Sequence, residues 1–211
     1  MADLIEGETG FAYPNWEKER RLKLSTKILE RCARAVFFLL SLPFRYECGK
    51  IGKSFLIRSG YSVWKCNLRY VTIGNNVSIG RRAWILTVPT SKCPNPKLTI
   101  GDNVSIGDDV TISAAKKVSI GKNCLISYNV SILDHNHAFE NVNVPPLLQG
   151  IDEPEEIEIG DDCFFGAHSF ILKGVVLGKH CVVGANSVVT TSFEDFSVIA
   201  GVPAKKIRTL T

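Results

Sequence analysis

The chain has 211 residues, a formal net charge of +4 and hydrophobic residues at 45% of its positions. This length predicts one domain with appendages. The mild positive charge, without a motif that interleaves basic and aromatic residues, excludes a dedicated nucleic-acid-binding protein. An odd count of 7 cysteines with no CxxC pair predicts reduced thiols in a cytoplasmic protein, buried as small hydrophobes at Cys124, Cys163 and Cys181.

The first part of the chain, residues 1–50, predicts a helical appendage. Residues 17–42 favour a helix that is basic at its start, ends in the apolar run 35–40 and stops at Pro43. The apolar run is shorter than the roughly 20 residues that a membrane-spanning helix needs. A basic helix with bulky apolar residues suits peripheral contact with the inner face of a membrane. Capping of the main domain, or packing on a neighbouring subunit, is the alternative.

From Ile51 to Val189 an apolar anchor residue recurs at every sixth position, in six groups of three. The groups are Ile51, Ile57 and Val63; Ile73, Ile79 and Ile85; Ile100, Ile106 and Ile112; Ile120, Ile126 and Ile132; Ile159, Phe165 and Ile171; and Leu177, Val183 and Val189. Glycine follows the first anchor of every group and the second anchor of four groups, but never the third. This eighteen-residue repeat predicts a stack of coils with three sides each.

The fold class that the repeat predicts is all-β, a parallel β-helix of six triangular coils over residues 51–199. A period of six fits neither the helical nor the strand period over a long window, but it leaves room for a short strand and a corner. Each anchor points inward and stacks on the anchors of neighbouring coils. We expect glycine after an anchor because the corner needs positive φ or a close approach of two backbones. Accidental spacing in an ordinary parallel sheet or sandwich is the alternative.

All insertions follow the third anchor of a group, so they leave the predicted domain along one shared edge. Loops held by a rigid scaffold are where function usually lies. The longest insertion is the loop 133–158, between Ile132 and Ile159. We expect the chemistry of the protein to lie in this loop.

The loop opens with Asp134, His135, Asn136 and His137, and so holds two of the 4 histidines of the chain. Histidine is the side chain best suited to move a proton near neutral pH, which makes both histidines candidate catalytic residues. Zinc is the alternative, because an open zinc site takes three protein ligands and histidine often supplies them. The other histidines lie on later coils, and the paired histidines of prism-shaped carbonic anhydrases are missing, so no metal is expected.

Three features together resemble a known family: the ladder of anchors, the histidine-bearing loop and the C-terminal sequence from Ala200 to Arg208, AGVPAKKIR. They resemble the hexapeptide-repeat acyltransferases, which have a left-handed β-helix fold. Over residues 51–208 the resemblance is closest to the galactoside, maltose and capsule-polysaccharide O-acetyltransferases. It implies an acetyl-CoA-dependent acetyltransferase with a C-terminal coenzyme-binding tail over residues 200–211.

In that group the catalytic histidine comes five residues after the last anchor of its coil, which implies His137 as general base and His135 as second choice. The group's acceptor-holding asparagine falls on Gly107, so the acceptor pocket must differ. Asn129 replaces it in our prediction because it flanks the corner of His137 from the adjoining side; a polar corner residue is the alternative. Asp134 is expected to bind the acceptor or to orient His137.

The resemblance implies direct acetyl transfer without a covalent enzyme intermediate. The histidine takes the proton of the acceptor hydroxyl as that oxygen attacks the thioester carbonyl, and returns it to the departing thiolate. The main-chain N–H of Ala167 is implied to stabilise the oxyanion. The residues implied to hold acetyl-CoA are Phe164, Ala167, Ala185, Thr190, Lys205 and Arg208. The last two suit the phosphates of the coenzyme, with a solvated tail as the alternative.

Members of the group are trimers with sites between subunits, so the resemblance also implies a homotrimer. It favours a sugar hydroxyl as acceptor, in cytoplasmic steps of surface-polysaccharide or glycolipid biosynthesis. The apolar helix favours a lipid-linked or membrane-proximal saccharide. N-acetylation of a nucleotide-linked amino sugar is the alternative on the same scaffold, and a metal-dependent or non-catalytic β-helix is the alternative from a different class.

Overall fold

The computed structural model describes residues 48–57 and 68–211, together with the single positions Val36, Leu39, Leu42 and Tyr46. The chain divides into two compact units, 1–36 and 37–211, and nearly all described residues belong to the second. The four single positions are helical and exposed. Most of the predicted helix and the anchor Val63 lie outside the described residues. Within the described part of the chain, no helix is long and apolar enough to cross a membrane.

The described part of the second unit is a parallel β-helix built from three sheets. The first sheet contains β1 (Lys50–Ile51), β3 (Val71–Ile73), β6 (Lys97–Ile100), β9 (Lys117–Ile120), β12 (Ile157–Ile159) and β15 (Val176–Leu177). The second contains β2 (Leu56–Ile57), β4 (Ser78–Ile79), β7 (Ser105–Ile106), β10 (Leu125–Ile126), β13 (Phe164–Phe165), β16 (Val182–Val183), β18 (Ser197–Gly201) and β19 (Ala204–Thr209). The third contains β5 (Trp84–Thr87), β8 (Thr111–Ala114), β11 (Ser131–Leu133), β14 (Phe170–Ile171) and β17 (Val188–Val189). A 3₁₀ turn (Leu68–Tyr70) and a short helix, α1 (Pro146–Gln149), lie between strands.

The register of the sheets stacks each predicted anchor on the anchor of the next coil. In the first sheet the column is Ile51, Ile73, Ile100, Ile120, Ile159 and Leu177. All of these are buried except Ile51, which packs partly buried against the core. The residue two positions before an anchor also points inward, as strand alternation requires, and the buried Cys124, Cys163 and Cys181 occupy such positions as predicted. The six-coil fold prediction is confirmed.

Glycine is required after an anchor because adjacent coils approach closely there. A Cβ on Gly101 would lie 2.7 Å from the carbonyl carbon of Gly121 and 2.8 Å from the amide nitrogen of Lys122. The other reason that we predicted, positive φ, is wrong for these glycines. The positive φ values occur two residues later, on polar residues such as Asn76 and Asn103, whose short side chains tolerate this conformation.

Three corners join the sides of each coil. The first corner connects the first and second sheets and comprises residues 52–54, 74–76, 101–103, 121–123, 160–162 and 178–180. The second corner connects the second and third sheets and comprises residues 80–82, 107–109, 127–129, 166–168 and 184–186. The third corner connects the third sheet to the first sheet of the next coil, and the insertions leave there, as predicted.

The C-terminal residues form part of the β-helix. We predicted a coenzyme-binding tail over 200–211, and the structure shows that β18 continues the second sheet through Gly201 while β19 returns antiparallel to it. Residue pairs Ala200–Lys205 and Val198–Arg208 fix the register of this hairpin. The basic residues of the tail are therefore held by backbone hydrogen bonds on the last coil.

We expect the substitution Gly101→Ala to lower the free energy of unfolding by about 1–3 kcal/mol, because the added methyl overlaps the backbone of the next coil. Urea unfolding followed by circular dichroism measures the change. Thr99→Ala is the matched control, because Thr99 lies in the same strand with its side chain exposed. An unfolding midpoint for Gly101→Ala equal to that of the control would contradict the close-approach explanation.

Candidate active site

Asp134 lies at the point where the long loop leaves β11, and its side chain is completely buried. Its Oδ1 accepts the N–H of Ala115 at 2.7 Å, and its Oδ2 accepts those of Lys116 and Lys117 at 2.8 and 2.9 Å. The carboxylate thus ties the head of the loop to the third-corner turn of the preceding coil. It has no surface left for an acceptor, which contradicts the predicted substrate contact of Asp134.

His135 is held by the same carboxylate. Its Nδ1 lies 2.8 Å from Asp134 Oδ1, and only 13% of its side chain is exposed. Because both carboxylate oxygens already accept backbone N–H groups, this contact is satisfied when Nδ1 carries the proton. The ring then has a free lone pair on Nε2, which is the form that a general base requires.

His137 has a different environment. Its backbone forms an isolated antiparallel bridge with Ile151, which closes the base of the loop, and its side chain is exposed. Within the described residues no hydrogen bond or ion pair reaches its imidazole. The preferred prediction for the catalytic base therefore falls on an imidazole with no orienting partner.

The returning end of the loop is fixed by a lysine of the next coil, Lys173. Its Nζ lies 2.6 Å from Asp152 Oδ2 and 3.1 Å from the carbonyl oxygen of Glu153. Burial alone would raise the pKa of Asp152, but Lys173 and the N–H of Asn136 outweigh it and keep that pKa below 3.8. The hydrogen bond with Asp152 raises the pKa of Lys173 above 10.5. Sequence analysis did not predict this ion pair between Lys173 and Asp152.

Asn129 lies at the second corner, before β11, whereas His137 lies beyond the other end of that strand. At about 3.3 Å per residue, the strand separates the two corners by roughly 10 Å. The prediction that Asn129 flanks the corner of His137 is therefore wrong within one chain. Its Nδ2 instead lies 2.8 Å from Nδ1 of His168 on the next coil. The hexapeptide register, which puts both residues at the same corner position, could have predicted this pair.

The predicted coenzyme residues Ala167 and Ala185 stack at the second corner. The N–H of Asn186 donates to the carbonyl oxygen of Ala167 at 2.9 Å. At an earlier coil of the same corner, the N–H of Arg81 donates to the side chain of Asp108 on the following coil, at 2.7 Å. Ala167 takes the place of Arg81 and Ala185 the place of Asp108. Because Ala185 has no carboxylate, the N–H of Ala167 has no acceptor among the described residues. The corner thus combines small side chains with an available backbone donor.

The remaining predicted coenzyme residues fall into two places. Phe164 and Arg208 belong to one row on the outer face of the second sheet, through the pairs Phe164–Val182, Val182–Val198 and Val198–Arg208. Lys205 is exposed and pairs with Ala200 above the second corner. Neither Lys205 nor Arg208 has an ion-pair partner in the described part of the chain. Thr190 follows β17 at the third-corner end, so the structure does not bring it to the others within one chain.

A recess of about 280 Å³ lies on the second sheet beside the second corner. Its lining includes Gly80, Gly107 and Tyr128. The rings of Tyr128 and His168 pack edge to face, with centroids 5.1 Å apart. The recess therefore combines two glycines with an aromatic residue beside the second corner.

The described residues contain no group of three His, Cys, Asp or Glu side chains arranged to hold a metal ion. Several acidic residues of the loop are instead paired with lysines. Lys116 and Lys117 lie 3.7 and 3.2 Å from the carboxylate of Glu156, and Lys92 lies 2.6 Å from Glu153.

We expect Lys173→Met to speed hydrogen exchange of the Asn136 and Asp152 amides about fivefold, because the loop loses a partly buried ion pair of about 1 kcal/mol. The contribution of the Asp152 carboxylate to the stability of the loop is present above pH 3.8 and is lost as the pH falls through its lowered pKa. The Lys173 contribution is present below pH 10.5 and is lost as the pH rises through its raised pKa. The effect should therefore be constant between about pH 5 and 9.

The control for this measurement is Lys92→Met, which removes a pair whose side chains are 73% and 68% exposed. Exposed pairs contribute little, so this variant should exchange like the parent protein. Equal exchange in both variants would contradict the claim that the Lys173–Asp152 ion pair fixes the returning end of the loop.

Comparison with known proteins supports the same fold and family. The family model described as "Hexapeptide repeat of succinyl-transferase" matches residues 97–133 and 156–191. The chain is 40% identical over 114 residues to "Putative lipopolysaccharide biosynthesis O-acetyl transferase WbbJ" of Escherichia coli K12, a match that covers 51% of this chain and 58% of that protein. The chain thus spans less than two thirds of that relative's length.

A second relative is matched over more of its length. The chain is 33% identical over 141 residues to "Putative colanic acid biosynthesis acetyltransferase WcaF" of Escherichia coli K12, covering 64% of this chain and 68% of that protein. Among solved structures, AntD, an N-acyltransferase from Bacillus cereus in complex with dTDP and 3-hydroxybutyryl-CoA, has a TM-score of 0.67 at 23% identity. That match covers 80% of this chain and 87% of AntD, and it shows the fold alone. The hexapeptide ladder, the three-sheet β-helix and the match to WcaF together mean that the chain belongs to the hexapeptide-repeat acetyltransferase family.

Proposed function

We propose that this protein transfers an acetyl group from acetyl-CoA to a sugar hydroxyl, in the biosynthesis of a surface polysaccharide or glycolipid. The observation that carries the proposal is the Asp134–His135 pair at the head of the longest loop, because it provides an oriented imidazole in a family of acetyltransferases. The names of WbbJ and WcaF, which refer to lipopolysaccharide and colanic acid biosynthesis, support the saccharide acceptor.

The general base in this proposal is His135 in preference to His137. A base must keep one nitrogen unprotonated and directed at the substrate, and the contact with Asp134 holds the ring of His135 in one orientation. His137 is exposed and has no such contact in the described residues, so no partner there orients its ring. Asp134 acts as a positioning residue rather than as a ligand of the acceptor.

The proposed reaction uses His135, in the loop at the third corner, and the backbone of Ala167, at the second corner. Nε2 of His135 takes the proton of the acceptor hydroxyl while this oxygen attacks the carbonyl carbon of the thioester. The N–H of Ala167 donates to the oxygen on which negative charge develops. When the carbon–sulfur bond breaks, His135 returns its proton to the sulfur. The acetyl group ends on the acceptor oxygen, and the free thiol of the coenzyme is released.

The second corner fits the donor in this scheme. Acetyl-CoA supplies the activated acetyl thioester. Ala167 and Ala185 leave a narrow surface along which the slender thioester arm lies, and Phe164 offers an aromatic face that is 37% exposed. Lys205 and Arg208, which are unpaired in the described residues, provide cations for the phosphates.

One chain does not complete this site by itself. The donor residues lie at the second corner and His135 lies at the third corner, at opposite ends of the third sheet. A second copy that presents its second corner to the loop of the first would unite them. Exposed Trp84, Leu125 and Phe170 on the outer sheet faces supply apolar surface for this contact. We therefore propose a homotrimer in which each site combines residues of two chains.

The acceptor recess in this arrangement is the one beside Gly107. Gly107 lines this recess without a side chain, so no asparagine amide is available there to hold the acceptor. Tyr128 offers an apolar ring face against which a sugar can pack.

We expect His135→Ala to lower kcat about 10²–10⁴-fold, because the reaction loses its oriented proton acceptor, and His137→Ala to lower it less than about tenfold. Release of free coenzyme A from acetyl-CoA, measured against a panel of sugars, gives both values. Circular dichroism controls for intact folding. The reverse order of the two variants would move the base to His137.

The same assay identifies the bond that is formed. An ester product is cleaved by neutral hydroxylamine, whereas an amide product survives it. An acetylated product that resists hydroxylamine would replace O-acetylation by N-acetylation of an amino sugar.

We expect two inactive variants, His135→Ala and Ala185→Trp, to restore activity when they are co-expressed. In a cyclic trimer of random composition, about one quarter of the sites combine an intact loop with an intact second corner. Light scattering must first give three times the 23.3 kDa of one chain. A mixture as inactive as its components would show that the site lies within one chain.

A further inference from the structure

A second recess, of about 310 Å³, lies on the outer face of the first sheet, where β1, β3 and β6 run side by side. The strand register places Lys50, Thr72 and Thr99 in one row across these strands. Lys97 precedes Thr99 by two residues and therefore points to the same face. Arg69 and Asn95 complete the polar lining.

Lys50, Arg69 and Lys97 have no carboxylate partner within the described residues. Their neighbour across the sheet behaves differently. Lys117, which pairs with Lys97 in the register, lies 2.5 Å from Glu158 and 3.2 Å from Glu156. Along the first sheet, the described lysines therefore have carboxylate partners at β9 but not at β6 or β1, where the recess lies.

The sequence explains why the described residues around these cations offer no carboxylate. No aspartate or glutamate occurs between Glu47 and Asp102, so the segment 58–67, which the structure does not describe, supplies none either. The charged residues of this stretch are all basic: Lys50, Lys53, Arg58, Lys65, Arg69, Arg81, Arg82, Lys92 and Lys97. Like charges that gather in one recess repel one another unless an anion joins them.

We propose that this recess binds the phosphate group of an anionic ligand, at a site separate from the one for acetyl transfer. A phosphate offers several strong acceptor oxygens, which match the fork of an arginine, the ammonium groups of two lysines and the hydroxyls of two threonines. The guanidinium of Arg69 lies over the ring of Tyr70, 5.9 Å from the ring centre, so a cation–π contact stabilises it on one side. The same chemistry serves a free phosphorylated compound and the headgroup of a phospholipid.

The experiment is a calorimetric titration of the full chain with inorganic pyrophosphate at low salt. The double variant Arg69→Gln, Lys97→Gln should bind about tenfold more weakly or worse, because two charge-assisted contacts are lost. The control is Lys53→Gln, an exposed lysine of the same coil outside the recess, which should stay within about twofold of the parent protein. Raising the salt to about 0.3 M should weaken binding to the parent protein, as screening requires.

Sedimentation with phosphatidylcholine vesicles, with and without phosphatidylglycerol, distinguishes the two sources of the phosphate. Binding to the anionic vesicles that the double variant loses and the control retains assigns the site to a lipid headgroup. Pyrophosphate binding without vesicle binding assigns it to a free phosphorylated compound. No binding of either probe, or equal weakening by Lys53→Gln, would overturn the proposal. None of these readouts uses acetyl transfer, so the result is independent of the proposed function.

Discussion

The buried carboxylate of Asp134 is the contact on which the candidate site depends. It collects three backbone N–H groups from the turn 115–117 and the Nδ1 of His135, although no part of it reaches solvent. Burial of a carboxylate is costly unless hydrogen bonds replace its water, and here four donors do so. Loss of this group would leave several buried donors unsatisfied, at about 1–3 kcal/mol each. The head of the loop is thus tied by hydrogen bonds to the coil beneath it.

The β-helix provides this contact by repeating one local geometry. Stacked aliphatic anchors close the core, and glycine after the anchor lets adjacent coils approach to backbone contact. Each coil therefore repeats the backbone geometry of the preceding coil. Insertions occur at the third corner, where no glycine follows the anchor. Exposed residues at a corner can then differ from coil to coil while the core keeps its anchors. Ala167 and Ala185 illustrate this, since they free a backbone donor at a position where lower coils place Asp108.

The period of the anchors was sufficient to predict the fold, because every anchor has the same role and the same partners in register. The side-chain contacts of the site were less accessible from sequence. Asp134 appeared to be a loop residue, and only the path of the backbone at 115–117 shows that it faces inward. Asn129 was assigned to the wrong corner because it precedes β11 whereas His137 follows that strand, so the two residues lie at opposite ends of one side of the coil. The register does contain the Asn129–His168 pair, which stacked-corner reasoning would have found.

The most direct test of this account is the protonation of the His135 ring in the intact protein, measured by nitrogen-15 NMR with labelled histidine at neutral pH. In the neutral ring, the buried carboxylate should keep the hydrogen on Nδ1 and leave Nε2 bare, and replacing Asp134 with asparagine should abolish that preference. A ring that carries its hydrogen on Nε2, or that averages between both forms in the parent protein, would contradict an imidazole fixed for proton removal.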